Sequence, residues 1–242
     1  MAPQESRLHL LEVAAEAMLL TTSSFSPERI IVFDWDDTLL ASTYVSSLGL
    51  RPRYTTESPN IPQEVAMELQ QLEKVVIQLL TLALEFGKVV IITAAEAGWV
   101  ELSASLFLPN TLPIITSSVR VVSARTTYER HFPSSPSQWK LAAFNYELDL
   151  ADKVQHLLSF GDGASERRAL LSVASSQSSN GSSSEEEDDD KEMYGKSMKF
   201  ITRPSVQELR LQVEMVLGSF EYLCTHPGHL DLELTKPILA TA

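Results

Sequence analysis

Cysteine is almost missing from this chain: Cys224 is the single one in 242 residues. An intramolecular disulfide framework and a cysteine-rich zinc site are therefore excluded. A reducing, intracellular setting, cytoplasmic with the nucleus left open, is the expectation. No apolar run approaches the roughly 18 residues of a membrane span, so no membrane association is expected. The segment from Leu8 to Leu20 has apolar character, but Glu12 and Glu16 interrupt it. Secretory and transit segments avoid acids, so residues 1–28 read as an N-terminal extension holding a short amphipathic helix. Basic residues are also scarce, 19 Lys and Arg against 32 Asp and Glu, for a formal charge of -13. The run from Glu185 to Glu192 holds seven acids and one base, so six of those charges sit there and seven are spread over the rest. Non-specific nucleic-acid binding depends on clustered positive charge, and nucleic acid is not an expected partner. Any phosphate must be drawn in by a local positive site. Internal repeats are absent.

What is present is a sequence of buried strands and amphipathic helices. Hydrophobic residues make up 44% of the chain, enough for a sizeable core. Arg29 to Phe33 is a continuous apolar run, the pattern of a strand buried on both faces. Residues 41 to 61, with Pro52, Pro59 and Asn60, read as loop. Pro62 then opens a helix with Val65, Leu69, Leu72, Val76, Leu79 and Ala83 at spacings of three and four, and Gly87 sits where a C-terminal cap belongs. Val89 to Ile92 predicts a second strand ending at Thr93, and a helix is expected from about Gly98 to Leu106. Val119 to Val122 predicts a third strand. Pro136 precedes a helix running to about Tyr146, and His156 to Phe160 predicts a fourth strand ending at Gly161-Asp162-Gly163. Residues 29–171 are expected to form the core, interrupted by a Ser-rich, acidic and disordered insertion over 172–196. The core resumes over 197–223 with a strand at Met198 to Thr202 and a helix striped by Val206, Leu209, Val213, Val216 and Leu217. Residues 224–242 read as an indistinct tail. Strands alternating with helices predict a three-layer α/β/α, Rossmann-like domain around a mainly parallel sheet.

In open sheets of this kind sites form at the carboxyl ends of the strands. Asp34, Thr93 and Asp162 each follow a predicted buried strand, and Lys140 begins a helix beside them. Asp34, Asp36, Asp162 and Glu166 at one rim form a hard, oxygen-rich site of the kind Mg²⁺ prefers. The cation and Lys140 would offset the carboxylate repulsion and attract a phosphate, to which Thr93 offers a hydroxyl. Asp34 can then attack phosphorus, and Asp36 can protonate the departing oxygen and later deprotonate water. A calcium loop of the EF-hand type is excluded, because Leu39 and Val45 stand where it needs glycine and a bidentate acid. Taken singly, Thr93 reads as a strand-end cap, Lys140 as a surface charge and Asp162 as a turn residue. Their joint order gives them meaning.

Asp34-Trp35-Asp36-Asp37-Thr38 after an apolar run resembles the first motif of the haloacid dehalogenase superfamily in its phosphatase form. Ile91-Ile92-Thr93 is similar to the second motif, Lys140 to the third, and Gly161-Asp162-Gly163-Ala164-Ser165-Glu166 to the fourth. The resemblance covers about residues 29 to 222 without the acidic insertion. It implies Asp34 as nucleophile and magnesium ligand, and Asp36 as acid/base with its backbone carbonyl on the metal. Asp162 is implied as a further ligand, and Thr93 and Lys140 as phosphate-binding. Glu166 departs from the commoner Asp and is assigned a supporting role. Little chain is available for a cap domain, so a nearly capless site open to a bulky substrate, such as a phosphoprotein, is expected. The competing expectation is a binding or scaffold protein on the same fold. Oligomeric state is not readable. Trp35 and Arg125 read as structural and Asp37 as fixing the turn; the acidic insertion reads as a solvated loop, with Ser182 to Ser184, each with an acid three residues on, as targets for acidophilic kinases in the alternative reading.

Overall fold

The structure is a computed structural model describing residues 29–52, 58–151, 154–179 and 193–235. The expected N-terminal helix, the serines at 182–184 and the end of the tail lie outside the described residues. Strand β1 (Arg29–Phe33) is followed by the short helix α1 (Ser42–Ser47), the long helix α2 (Gln63–Phe86) and strand β2 (Lys88–Thr93). Helices α3 (Trp99–Phe107) and α4 (Leu112–Ser118) lead to β3 (Arg120–Ser123), and α5 (Ala124–Tyr128) and α6 (Pro136–Asp149) lead to β4 (His156–Gly161). Then come α7 (Ala164–Ser179), β5 (Tyr194–Lys199), α8 (Val206–Thr225) and β6 (Leu230–Glu233). The strands form one sheet in the order β3-β2-β1-β4-β5-β6, with every pairing parallel.

Side chains alternate across a strand, and β1 shows what that does. Ile31 and Phe33 pack into a cluster with Leu72 and Leu79 of α2 and Val213 and Phe220 of α8. Ile30 and Val32 pack on the opposite face with Trp139 and Phe144 of α6 and Leu170 of α7. The chain is therefore a three-layer α/β/α domain, as its sequence predicts. The stacked rings of Phe33 and Phe160, 4.8 Å apart, tie β1 to β4 within the first cluster. From β1 the chain moves outward through β2 to β3, then returns to place β4 on the other side of β1. That reversal opens a crevice between the carboxyl ends of β1 and β4. Among the described residues no helix is long and apolar enough to cross a membrane.

Several elements differ from the sequence expectation. The supposed loop after β1 contains α1, whose backbone at Thr43 donates to Asp37 Oδ1 at 2.9 Å. Six residues carry too little periodicity to announce a helix, and the capping carboxylate lies in the preceding turn. Helices α4 and α5 escape the pattern for the same reason of length. The expected core boundaries at 171 and 197 move. Helix α7 runs on to Ser179 with Val173 and Ala174 buried, and β5 begins at Tyr194 rather than Met198. The beginning of β5 is hidden by Lys196 and Ser197, polar residues that are nonetheless buried. Lys196 Nζ donates to the carbonyls of Leu223 and Cys224 at 2.7 and 3.2 Å, so its charge neutralises the C-terminal end of α8. Part of the expected tail is strand β6, an exposed edge paired with β5 and held by Arg167–Asp231 and Lys199–Glu233 ion pairs.

Gly87 ends α2, but its role is space rather than a left-handed turn. A Cβ there would lie 2.5 Å from the backbone oxygen of Arg29 on the neighbouring strand. Gly87→Ala is expected to lower stability by about 1–3 kcal/mol through overpacking, read from the midpoint of urea unfolding. His156 provides a second check. Burial, then the nearby Lys196 and Arg29 charges, lowers its pKa from 6.5 to about 4. Below pH 6.5 the unfolded chain takes up a proton that the folded chain refuses until about pH 4, so this contribution to stability is lost as pH falls through that window. Thermal unfolding should show a smaller drop in Tm between pH 6.5 and 4 for His156→Phe than for the unaltered chain.

Candidate active site

The residues singled out at the strand ends converge on the crevice between β1 and β4. Asp34 follows the last residue of β1, and its backbone N–H donates to Phe160 O of β4 at 2.9 Å, extending the ladder by one residue. Its carboxylate is buried. Among the described residues the hydrogen bonds to it, from Trp35 N at 2.8 Å and Lys140 Nζ at 2.7 Å, both fall on Oδ1. Oδ2 receives neither of these bonds.

Lys140 is 0% exposed, which no lysine tolerates without partners. It lies in the first turns of α6, and its ammonium meets Asp34 Oδ1, Glu166 Oε1 at 2.8 Å and the carbonyl of Ile92 at 2.6 Å. Burial opposes its charge, but the two carboxylates outweigh that and hold its pKa above the usual lysine value. Glu166, on the first turn of α7, would also be raised by burial, yet the same ammonium leaves it lowered. Its second oxygen, Oε2, is buried without a hydrogen-bond partner. Gly161 and Gly163 make room for this side chain, since a Cβ on either would lie 2.7 Å from it.

Asp36 sits in a different environment, half-buried at the rim. The indole Nε1 of Trp99 donates to its Oδ1 at 2.9 Å, and the Thr93 hydroxyl reaches Oδ2 at 3.4 Å. Thr93 is buried, and its oxygen also accepts from Ala95 N at 3.0 Å, so it organises the turn after β2 as well as contacting Asp36. Asp37 adopts a left-handed backbone with φ 56° and turns inward to serve α1, the structural task expected of it. Asp162 is partly buried after β4. Burial first, then the charges of Glu166 and Asp37, pushes its carboxyl up to about 7. Its backbone N–H donates to the hydroxyl of Thr38 at 3.1 Å, which ties the two acidic loops together.

Burial raises Asp34 as well, to about 8, against the opposing pull of Lys140. One ammonium among Asp34, Glu166 and Asp162 leaves the cluster short of positive charge. Among the described residues no three His, Cys, Asp or Glu side chains are arranged as a ready-made metal cage. Magnesium asks for less, one or two carboxylates with water and phosphate completing its shell. Oxygen donors on adjacent strand ends, two of them with raised pKa values, fit that demand.

Sequence reasoning gave Thr38 no role of its own within the first motif and missed Trp99. Trp99 lies 63 positions from the acid it touches and stands at the start of an apolar helix, where an aromatic signals only packing. Trp35 is fully buried, as expected, but its Nε1 also donates to Ser103 Oγ at 2.9 Å. Arg125 is held by Glu129 at 3.2 Å and Glu96 at 3.9 Å beside a groove of about 590 Å³. His229 accepts from Gly195 N at 3.0 Å, far from the acidic rim in the sheet.

Removing Lys140 should be costly for the fold. Lys140→Met leaves two buried carboxylates facing each other, and stability should fall by about 3–5 kcal/mol in urea unfolding. Lys140→Met combined with Glu166→Leu should recover part of that loss, because one uncompensated charge goes with its partner.

Compared with protein-family models, curated proteins and solved structures, the chain matches none of them.

Proposed function

We propose that this chain is a Mg²⁺-dependent phosphatase of the haloacid dehalogenase type, hydrolysing phosphate monoesters through an aspartyl-phosphate on Asp34. The observation that carries the reading is the unequal treatment of two acids on one short loop. Asp34 is buried against Lys140 with Oδ2 left for attack, while Asp36 is half-buried and held at the rim by neutral donors. Two carboxylates with separate environments suit separate tasks.

In the proposed sequence Asp34 Oδ2 forms a bond to phosphorus as the ester P–O bond breaks, and Asp36 gives its proton to the departing oxygen. Water then attacks phosphorus, Asp36 takes the water's proton, and the bond to Asp34 breaks to release inorganic phosphate. Lys140 balances charge beside Asp34, and Thr93 offers its hydroxyl to a phosphoryl oxygen. Asp34, Asp162 and the backbone carbonyl of Asp36 would hold Mg²⁺, which when bound supplies the positive charge that lets a dianionic phosphate approach carboxylates. Glu166 acts through Lys140, holding the ammonium in place.

Between β1 and α2, and between β3 and α6, the described chain forms only the short helices α1 and α5. That favours a nearly capless site and a bulky phosphate monoester, such as a phosphoprotein, as substrate. Phosphate release from an aryl phosphate tests the reading. Turnover should require Mg²⁺, fall by at least about a thousandfold in Asp34→Asn, and fall by about 10²- to 10⁴-fold in Asp36→Asn. Equal background rates in the unaltered chain and in Asp34→Asn would sink the enzyme and leave the binding-protein alternative.

A further inference from the structure

We infer that Trp99 is a positioning residue for Asp36, its indole N–H aiming the carboxylate that transfers the proton. The contact stands on geometry; its kinetic consequence rests on the phosphatase reading above. Asp36 lies only two residues beyond the nucleophile on a short loop, and a half-buried carboxylate there is free to turn toward water unless something holds it. Both of its oxygens are engaged, Oδ1 by Trp99 Nε1 at 2.9 Å and Oδ2 by the Thr93 hydroxyl at 3.4 Å. The indole N–H keeps its hold on Oδ1 when the Thr93 hydroxyl turns to a phosphoryl oxygen, so Trp99 is the donor that stays on Asp36 through the reaction.

Trp99 is itself held by groups that lead back to the same loop. It is the first residue of α3, directly after Gly98, whose φ of 86° suits glycine and sets the entry of the helix. The Trp99 carbonyl accepts from Ser103 Oγ at 2.6 Å, and that oxygen accepts from Trp35 Nε1 at 2.9 Å. Trp35 immediately precedes Asp36, so the bonds close a ring from the acidic loop through α3 and back. On the face of the indole, the guanidinium of Arg51 stacks 4.9 Å from the ring centroid. The indole therefore has little freedom, and neither does the acid it holds. Such pre-organisation matters most where the proton must reach the leaving oxygen as the P–O bond breaks.

A residue that merely packs would weaken turnover of every substrate alike. A residue that aims the acid matters most when the leaving group is a poor one. Trp99→Phe keeps the ring and removes the N–H. Measured as kcat/KM with Mg²⁺, its loss on an alkyl phosphate should reach about 10- to 100-fold, and exceed its loss on nitrophenyl phosphate by about tenfold. Placed in Asp36→Asn, the same substitution should add little further loss, because the group it aims is gone. A spectroscopic arm needs no turnover. The chain has three tryptophans, and the indole N–H resonance that disappears in Trp99→Phe should move and exchange faster with solvent in Asp36→Ala. Equal losses on both esters, or an unmoved indole resonance, would overturn the inference while Asp34-dependent turnover kept the phosphatase reading intact. Phosphate release that ignores Asp34 would overturn that reading and the kinetic role together, and the resonance would still judge the contact.

Discussion

The buried ammonium of Lys140 organises the carboxyl-end rim of the sheet. Lys140 has no access to water, so its charge survives only if the surrounding protein replaces the hydration it lost. The replacement comes from three different parts of the chain: the carboxylate after β1, a carbonyl at the end of β2 and an acid on the first turn of α7. Satisfying one lysine therefore requires α6 to lie beneath two central strands and α7 to start beside them. The position of Asp34 follows from that requirement as much as from its own strand.

Burial of charge is not by itself a mark of function in this fold. Glu147 is buried and meets Lys88 at 3.0 Å and Arg120 at 2.7 Å, binding α6 to the two outer strands on that side. Glu73 accepts from both the backbone and the side-chain nitrogen of Asn110, fastening α2 to the turn before α4. Lys196 meets two carbonyls at the end of α8. Each of these groups is matched by partners and reads as a structural tie. The strand-end cluster differs in that its demands are not all met. Burial with mutual repulsion raises Asp34 and Asp162 even though Lys140 opposes it. An excess of carboxylates over cations at the switch point of a parallel sheet is a feature that a bound cation would relieve.

The two acids Asp34 and Asp36 also show how a short loop gives neighbouring carboxylates different surroundings. Two positions apart, they point into different surroundings because the turn is set by other residues. Asp37 takes the left-handed backbone and caps α1, while Thr38 accepts the backbone N–H of Asp162. The loop is consequently tied to its own downstream helix, to the β4 loop and to α3 through Trp35. These ties together decide where the carboxylates lie.

Much of this was legible in the residues alone. The apolar run of β1, the periodicity of α2 and the polar residues at the ends of buried strands set the fold class and singled out the acidic rim. These signals are local, since a buried strand must be apolar and a strand end in a parallel sheet must face a crevice. What stayed illegible depends on partners far away in the chain. Lys196 and Ser197 concealed the start of β5, because a lysine reads as exposed until the helix end that receives it is known. Strand β6 concealed itself as an exposed edge with little apolar demand. Trp99 carried no sign of its acid, because an indole N–H finds its acceptor only once α3 is laid against the loop after β1. Sequence determined which groups were available and which strands were buried. Tertiary structure decided which acid meets the lysine and which meets the indole, because hydrogen bonds and desolvation act across space and leave no period in the chain.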